Sequence, residues 1–149
     1  MKKIGLFFSI LSISMMLSAQ SDSITFINID LAKEYAADHN KNILMVFAGS
    51  DWCRPCMQFK MEVLQSDDFG DYAAKNLVVL YLDFPARKKN KLEAEQKKHN
   101  ETLADKYNPY GAFPAILLID KDEQILGELE FKHQTEEEFI DECKKIVGE

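Results

Sequence analysis

Two cysteines three residues apart stand within Trp52-Cys53-Arg54-Pro55-Cys56, with an apolar run at Ile43 to Phe47 before them and a helical pattern behind. Where a strand gives way to a helix, the first N–H groups of the helix lack intrahelical partners. Their partial positive charge favours a thiolate at the first cysteine. The spacing lets the second sulfur fold back within bonding range, so a mixed disulfide formed at Cys53 can be resolved by Cys56. Dithiol–disulfide exchange is the chemistry these residues permit. A fixed structural bridge is the alternative, but a bridge closing so short a loop contributes little chain-entropy stabilisation. Zinc needs four ligands, and beyond the pair the chain offers only Cys143 and the scattered His39, His99 and His133. The histidines read as surface or structural residues, and neither metal nor another cofactor is expected.

The elements that must position the pair follow from the pattern around it. Ile24, Phe26 and Ile27 suggest a short first strand, and Asp30 can cap a helix carrying Leu31, Tyr35 and Ala36, ended by Lys41-Asn42. Ile43 to Phe47 is continuously apolar, as in a strand covered on both faces. Gly49-Ser50-Asp51 turns the chain out. Behind Cys56, the residues Cys56, Phe59 and Val63 mark one helix face and Met57, Met61 and Leu64 another, which predicts packing on two sides. Ser66-Asp67-Asp68 caps a shorter helix that Asn76 can end in a left-handed conformation. Leu77 to Leu82 is a second buried strand, and two such strands joined through helix make a βαβ unit.

Phe84 to Asn100 breaks this rhythm with Pro85 and a lysine- and glutamate-rich stretch. Leu92, Gln96, His99, Leu103 and Tyr107 recur at three to four residues, the stripe of a surface helix ending near Tyr107. Asn108-Pro109-Tyr110-Gly111 is a turn cluster, and Phe113-Pro114 precedes a strand at Ala115 to Ile119. That strand and Gln124 to Phe131 should form an antiparallel hairpin. Thr135 to Glu138 is a capping box for a last helix burying Phe139, Ile140, Cys143 and Val147. Cys143 then reads as a small apolar residue, with a resolving or intermolecular role as the alternative.

The first nineteen residues have the outline of a secretory signal: Lys2-Lys3, an apolar run from Ile4 to Leu17, and Ser18-Ala19. The expected organisation is therefore a signal peptide at 1–19 and one domain at 20–149, exported to the periplasm or beyond, with no stable membrane insertion after cleavage. Losing the two lysines takes the formal net charge from −7 to −9. Such a surface argues against nucleic acid as a partner.

The order β-α-β-α-β, then a helical insertion, a hairpin and a helix, with Cys-x-x-Cys at a strand–helix corner, resembles the thioredoxin superfamily over about residues 24 to 147. The residues that carry the likeness are Gly49 to Cys56, Lys106-Tyr107 and Phe113 to Leu118. Asp51-Trp52-Cys53 with Phe59-Lys60-Met61-Glu62 looks most like exported thioredoxin-like proteins of the thioredoxin_7 type. The resemblance implies an α/β thioredoxin-like fold: a central mixed sheet flanked by helices, with a helical insertion before a cis-proline hairpin. It implies a thiol:disulfide oxidoreductase acting on protein thiol and disulfide substrates, with Cys53 as nucleophile, Cys56 as resolving thiol, and a membrane electron donor if it works as a reductase. Trp52 would shield the site edge unless it is a core aromatic, and Phe113 and a cis Pro114 would present backbone to an extended substrate. Arg54 and Pro55 would tune the couple, Arg54 by lowering the pKa of Cys53. Where this family places a buried aspartate, six residues before the nucleophile, stands Phe47, with Glu62 or Asp83 as substitutes able to approach. The rival reading is a non-catalytic peptide-binding module whose disulfide is structural.

Overall fold

The computed structural model describes residues 24–148; the signal at 1–19 lies outside them. Ile43 to Phe47 is wholly apolar and Leu77 to Leu82 carries one polar atom, the hydroxyl of half-buried Tyr81, and they become two adjacent inner strands. The five strands are β1 (Thr25–Phe26), β2 (Asn42–Ala48), β3 (Leu77–Asp83), β4 (Ala115–Ile119) and β5 (Ile125–Leu129), in the sheet order β1-β3-β2-β4-β5. β3 pairs in parallel with both β1 and β2, while β4 runs antiparallel to β2 and to β5. The sheet is mixed, as the resemblance implies.

Helices cover both faces. On one lie α2 (Arg54–Phe59, continued by a π-helical turn at Lys60–Leu64), α3 (Asp67–Asn76) and α5 (Glu136–Val147). They bury Cys56, Phe59, Val63, Phe69, Phe139 and Cys143 against Leu44, Val46 and Val79. On the other face lie α1 (Ile29–His39) and α4 (Ala94–Tyr107), which bury Ala32, Ala36, Leu103 and Tyr107 against Ile43, Met45, Phe47 and Leu80. A fully buried aliphatic or aromatic side chain contributes about 1.5–3 kcal/mol, so these two layers hold the domain without further staples. Cys53 and Cys56 form its disulfide.

Four local expectations are corrected. Asn28, not Asp30, caps α1: its extended backbone lets Oδ1 accept from the N–H groups of Asp30 at 2.9 Å and Leu31 at 3.2 Å. Asp30 sits in the first turn, where a negative charge complements the helix dipole. Asn40, in the left-handed conformation, ends α1, and Asn42 already belongs to β2. Asn76 stays helical and the chain leaves α3 through an extended Leu77, because β3 begins there. The second face of α2 is packed only at Leu64, which lies against the core, while Met57 and Met61 remain 37% and 61% exposed. The hairpin, the capping box at Thr135–Glu138 and the insertion helix ending at Tyr107 are present.

Candidate active site

β2 delivers the chain to the end of the sheet at Ala48, and Gly49 to Trp52 turn it into α2. The Gly49 carbonyl accepts from the Cys53 N–H at 3.0 Å and the Trp52 N–H at 3.4 Å. This sets Cys53 as the N-cap residue of α2, in extended conformation, with its Sγ accepting from the Cys56 N–H at 3.2 Å. The sulfur thus occupies the place of a capping oxygen, satisfying one of the helix's orphan donors. Pro55 fits the first turn because no N–H is required there. The pair is closed as a disulfide with an S–S distance of 2.07 Å. Both sulfur-bearing residues are well covered, Cys53 at 4% exposure and Cys56 at 1%, while Arg54 and Pro55 are exposed beside them.

Three loops meet around this corner. The Trp52 indole lies over Gly49, where a Cβ would come within 2.3 Å of the ring, and its Nε1 donates to the Phe84 carbonyl at 2.7 Å. Trp52 meets Phe113 edge-on at 5.2 Å, and Phe113 meets Phe84 in the same way at 5.4 Å. At 49% exposure, Trp52 is a rim residue, which removes the core-aromatic alternative. The Phe113-Pro114 bond is cis. Its loop is pinned by Asn108, whose side chain accepts from the Ala112 N–H at 2.9 Å and donates to the Ala112 carbonyl at 2.8 Å. Trp52, next to Cys53, and Phe113, next to Pro114, therefore bring the cysteine turn and the proline loop into contact.

Two carboxylates anchor the corner, and only one of them was anticipated near it. Asp83 accepts from the Ser50 N–H at 2.9 Å and the Ser50 hydroxyl at 2.6 Å, so it stabilises the turn rather than standing free as a base. Its carbonyl accepts from Asn100 Nδ2 at 2.9 Å, tying α4 to the same point. Asp51 accepts from the N–H groups of Ala86 at 2.8 Å and Arg87 at 3.0 Å and from Asn90 Nδ2 at 2.8 Å. The Ala86 N–H foremost, then the Asn90 amide and the Arg87 N–H, hold its carboxyl below the usual range. Neither partnership is visible in local sequence; the only signal for Asp51 was its place in a Gly-Ser-Asp turn. Glu62 is exposed, and Phe47 is fully buried in the layer of α1 and α4, across the sheet from Cys56.

The remaining chemistry-bearing residues lie elsewhere. Cys143 is fully buried in α5, and burial pushes its thiol up to about 12. His99 Nε2 accepts from the Ile29 N–H at 3.1 Å, His39 Nδ1 meets the Tyr35 carbonyl at 2.9 Å, and His133 sits in a left-handed turn. Glu123 joins Lys33, Lys106 and Tyr107 at the opposite end of the sheet. Among the described residues, no three His, Cys, Asp or Glu side chains are grouped to hold a metal ion.

A dithiol pair capping a helix, faced by a loop with a cis proline on a β1-β3-β2-β4-β5 sheet, is the arrangement of a thioredoxin-type domain. The model of the thioredoxin-like domain family matches residues 29–141, and the chain belongs to that family. Its closed Cys53–Cys56 bridge gives it the dithiol/disulfide couple of a thiol-disulfide oxidoreductase. It is similar to the disulfide bond reductase DsbH of Chlamydia pneumoniae, 31% identical over 116 residues that make up 78% of this chain and 68% of that protein. A solved DsbH oxidoreductase superposes with a TM-score of 0.79 at 26% identity, covering 94% of this chain and 95% of the other. A thioredoxin from Thermus thermophilus shares the fold, with a TM-score of 0.61 at 19% identity over 84% of this chain and 88% of its own. Among the described residues, no helix is long and apolar enough to cross a membrane.

Proposed function

We propose that this protein is an exported thiol:disulfide oxidoreductase that reduces disulfides in other proteins. The observation that carries the reading is Cys53 Sγ standing as the N-cap acceptor of the Cys56 N–H, on the more exposed side of the pair. A thiolate there is stabilised by the same donor, and the Arg54 cation beside it acts in the same sense. In the reduced protein, Cys53 attacks one sulfur of a substrate disulfide; the other leaves as a thiolate and is protonated by solvent. Cys56, once deprotonated, attacks Cys53 Sγ, releases the second substrate thiolate and closes the bridge present in this structure. Two electrons and two protons have then passed to the substrate. A dithiol donor reopens the bridge, and for an exported protein that donor is a membrane reductase. Trp52, Phe113 and the cis Pro114 form the edge against which an extended substrate is held, while Arg54 and Pro55 tune the couple.

The reductase direction is supported by the name of the Chlamydia pneumoniae relative and by the Arg-Pro pair between the cysteines; export is supported by residues 1–19. Replacing Cys56 with serine tests the reading: protein partners should accumulate as mixed disulfides on Cys53 and be released by a small thiol. The close covering of both sulfurs favours one rival, a binding module with a permanent bridge. Under it the trap stays empty and the bridge resists reduction, with a potential below about −300 mV.

A further inference from the structure

The insertion is oppositely charged to the rest of the molecule. Arg87, Lys88, Lys89, Lys91, Lys97 and Lys98 fall within twelve residues with only Glu93 and Glu95 between them, in a chain of formal net charge −7. All six cations are exposed. Lys97 is bridged to Glu101 at 3.5 Å, and none of the other five joins an ion pair among the described residues. Of the clustered acids, Asp67-Asp68 on α3 and Glu136 to Glu138 on α5 belong to the helices covering the opposite face, and Asp120, Asp122 and Glu123 lie in the turn between β4 and β5, while Glu101 and Asp105 follow the strip on α4.

This basic strip is fixed to the active-site corner. Asp51, one residue before Trp52, clamps Ala86, Arg87 and Asn90, and the short 3₁₀ turn Lys88–Asn90 follows directly. Asn100, through the Asp83 carbonyl, ties down the helix that carries Lys97 and Lys98. Between the two lies a cleft of about 210 Å³, walled by Phe84, Pro85 and Leu92, with Lys91 and Lys97 and the acids Asp83 and Glu101 at its margin and Asn100 at its base; Asp83 is engaged by Ser50 and Glu101 by Lys97, which leaves Lys91 as the cation there with no ion pair among the described residues. Phe84 is shared: its ring edge meets Phe113, its carbonyl holds Trp52, and it walls the cleft. A polypeptide leaving the cysteine pair past Trp52 therefore meets the Phe84–Leu92 cleft and, beyond it, the unpaired cations Arg87, Lys88, Lys89, Lys91 and Lys98, on a molecule whose net charge is negative.

We propose that the strip from Arg87 to Lys98 selects protein substrates that carry acidic residues beside the reacting cysteine, with one apolar side chain of the substrate seated in the Phe84–Leu92 cleft. The proposal deepens the oxidoreductase reading and rests on it. Opposite charges across such a strip raise encounter rates by about 10- to 1000-fold at low salt and suppress partners of like charge. An anionic membrane is a poorer match, because the strip is tied through Asp51 to the turn that carries the cysteines and the body of the protein is acidic.

Disulfide-linked peptide pairs of one core sequence, flanked by three glutamates or by three lysines, provide the test with the full chain, regenerated by dithiothreitol. At low ionic strength the glutamate-flanked peptide should be reduced at least about tenfold faster, and 0.5 M NaCl should bring the ratio towards one. The charge reversal K88E/K89E/K98E, at exposed positions, should bring the ratio to one or invert it at low salt. Equal rates for wild type at low salt, or a ratio that survives the reversal, overturn the proposal and leave the oxidoreductase reading standing. Failure to reduce either peptide overturns both. Cosedimentation with phosphatidylglycerol vesicles without any peptide preference assigns the strip to lipid and also overturns it.

Discussion

Cys53 and Cys143 carry the same side chain in two settings, one closed in a disulfide and the other a free thiol, and the contrast supports placing exchange at Cys53. Cys143 is fully buried among the apolar side chains of α5 and α3, where a thiolate would lose its hydration and gain too little from the backbone N–H beside it to offset that loss. Burial there pushes the thiol up to about 12, with the nearby Glu142 charge adding to it. Cys53 is also largely covered, but it stands at a helix start with an N–H aimed at its sulfur. Covering a sulfur suppresses it only when nothing replaces the water. The two anchoring carboxylates extend the contrast to the ends of the sheet: Asp51 holds loops around the cysteine pair, whereas Glu123 holds Lys33, Lys106 and Tyr107 far from it.

Substitutions sharpen or break this comparison. The largest effect belongs to Cys53→Ser, which should lower protein-disulfide reduction by at least about 1000-fold in a turbidity assay. Retention of activity through Cys56 or Cys143 would break the contrast outright. Next comes Asp51→Ala, which frees Ala86, Arg87 and Asn90 from the corner. A several-fold loss of exchange rate and an altered Trp52 fluorescence are expected, with no change in the identity of the attacking sulfur.

Cys143→Ala should leave exchange within about twofold and cost about 1 kcal/mol by denaturant titration, as for a small cavity. It should also remove an alkaline weakness. Because the folded thiol holds its proton above the ordinary value of 9.0, its contribution to stability is complete below that pH and is lost as pH rises towards about 12. Wild type should accordingly lose more stability than the variant between pH 8 and pH 10.5. The smallest effect on exchange is that of Glu123→Gln, which should be nil. The hydrogen bond from Lys106, followed by those from Lys33 and Tyr107, holds the Glu123 carboxyl down at about 2. That contribution is present above the ordinary carboxyl value of 4.5 and is lost as pH falls towards about 2. The variant should unfold with a shallower acid dependence across that window.

Much of the scaffold was legible because its signals are local. Ile43 to Phe47 and Leu77 to Leu82 can be little but buried strands, and Thr135 with Glu138 forms the capping box its spacing predicts. Local signals misled where two residues competed for one role, as Asn28 and Asp30 did for the first cap, and where the second apolar row of Met57, Met61 and Leu64 predicted packing that only Leu64 finds among the described residues. The cysteine pair could be read from type and spacing, and the proline loop from the family resemblance of Phe113 to Leu118. The bonds from Asp51 to Ala86 and from Asp83 to Ser50 could not, because they join residues 35 and 33 positions apart, and nothing in either segment names the other.

The account stands on Cys53 being the sulfur that ionises and meets solvent first. The direct measurement is alkylation of the reduced protein by iodoacetamide as a function of pH, with each modified cysteine located by mass spectrometry. Cys53 should be modified ahead of Cys56 and Cys143, with a rate that levels off well below the ordinary thiol value of about 8.5. Equal and slow modification of Cys53 and Cys56, following the titration of an ordinary thiol, would contradict it.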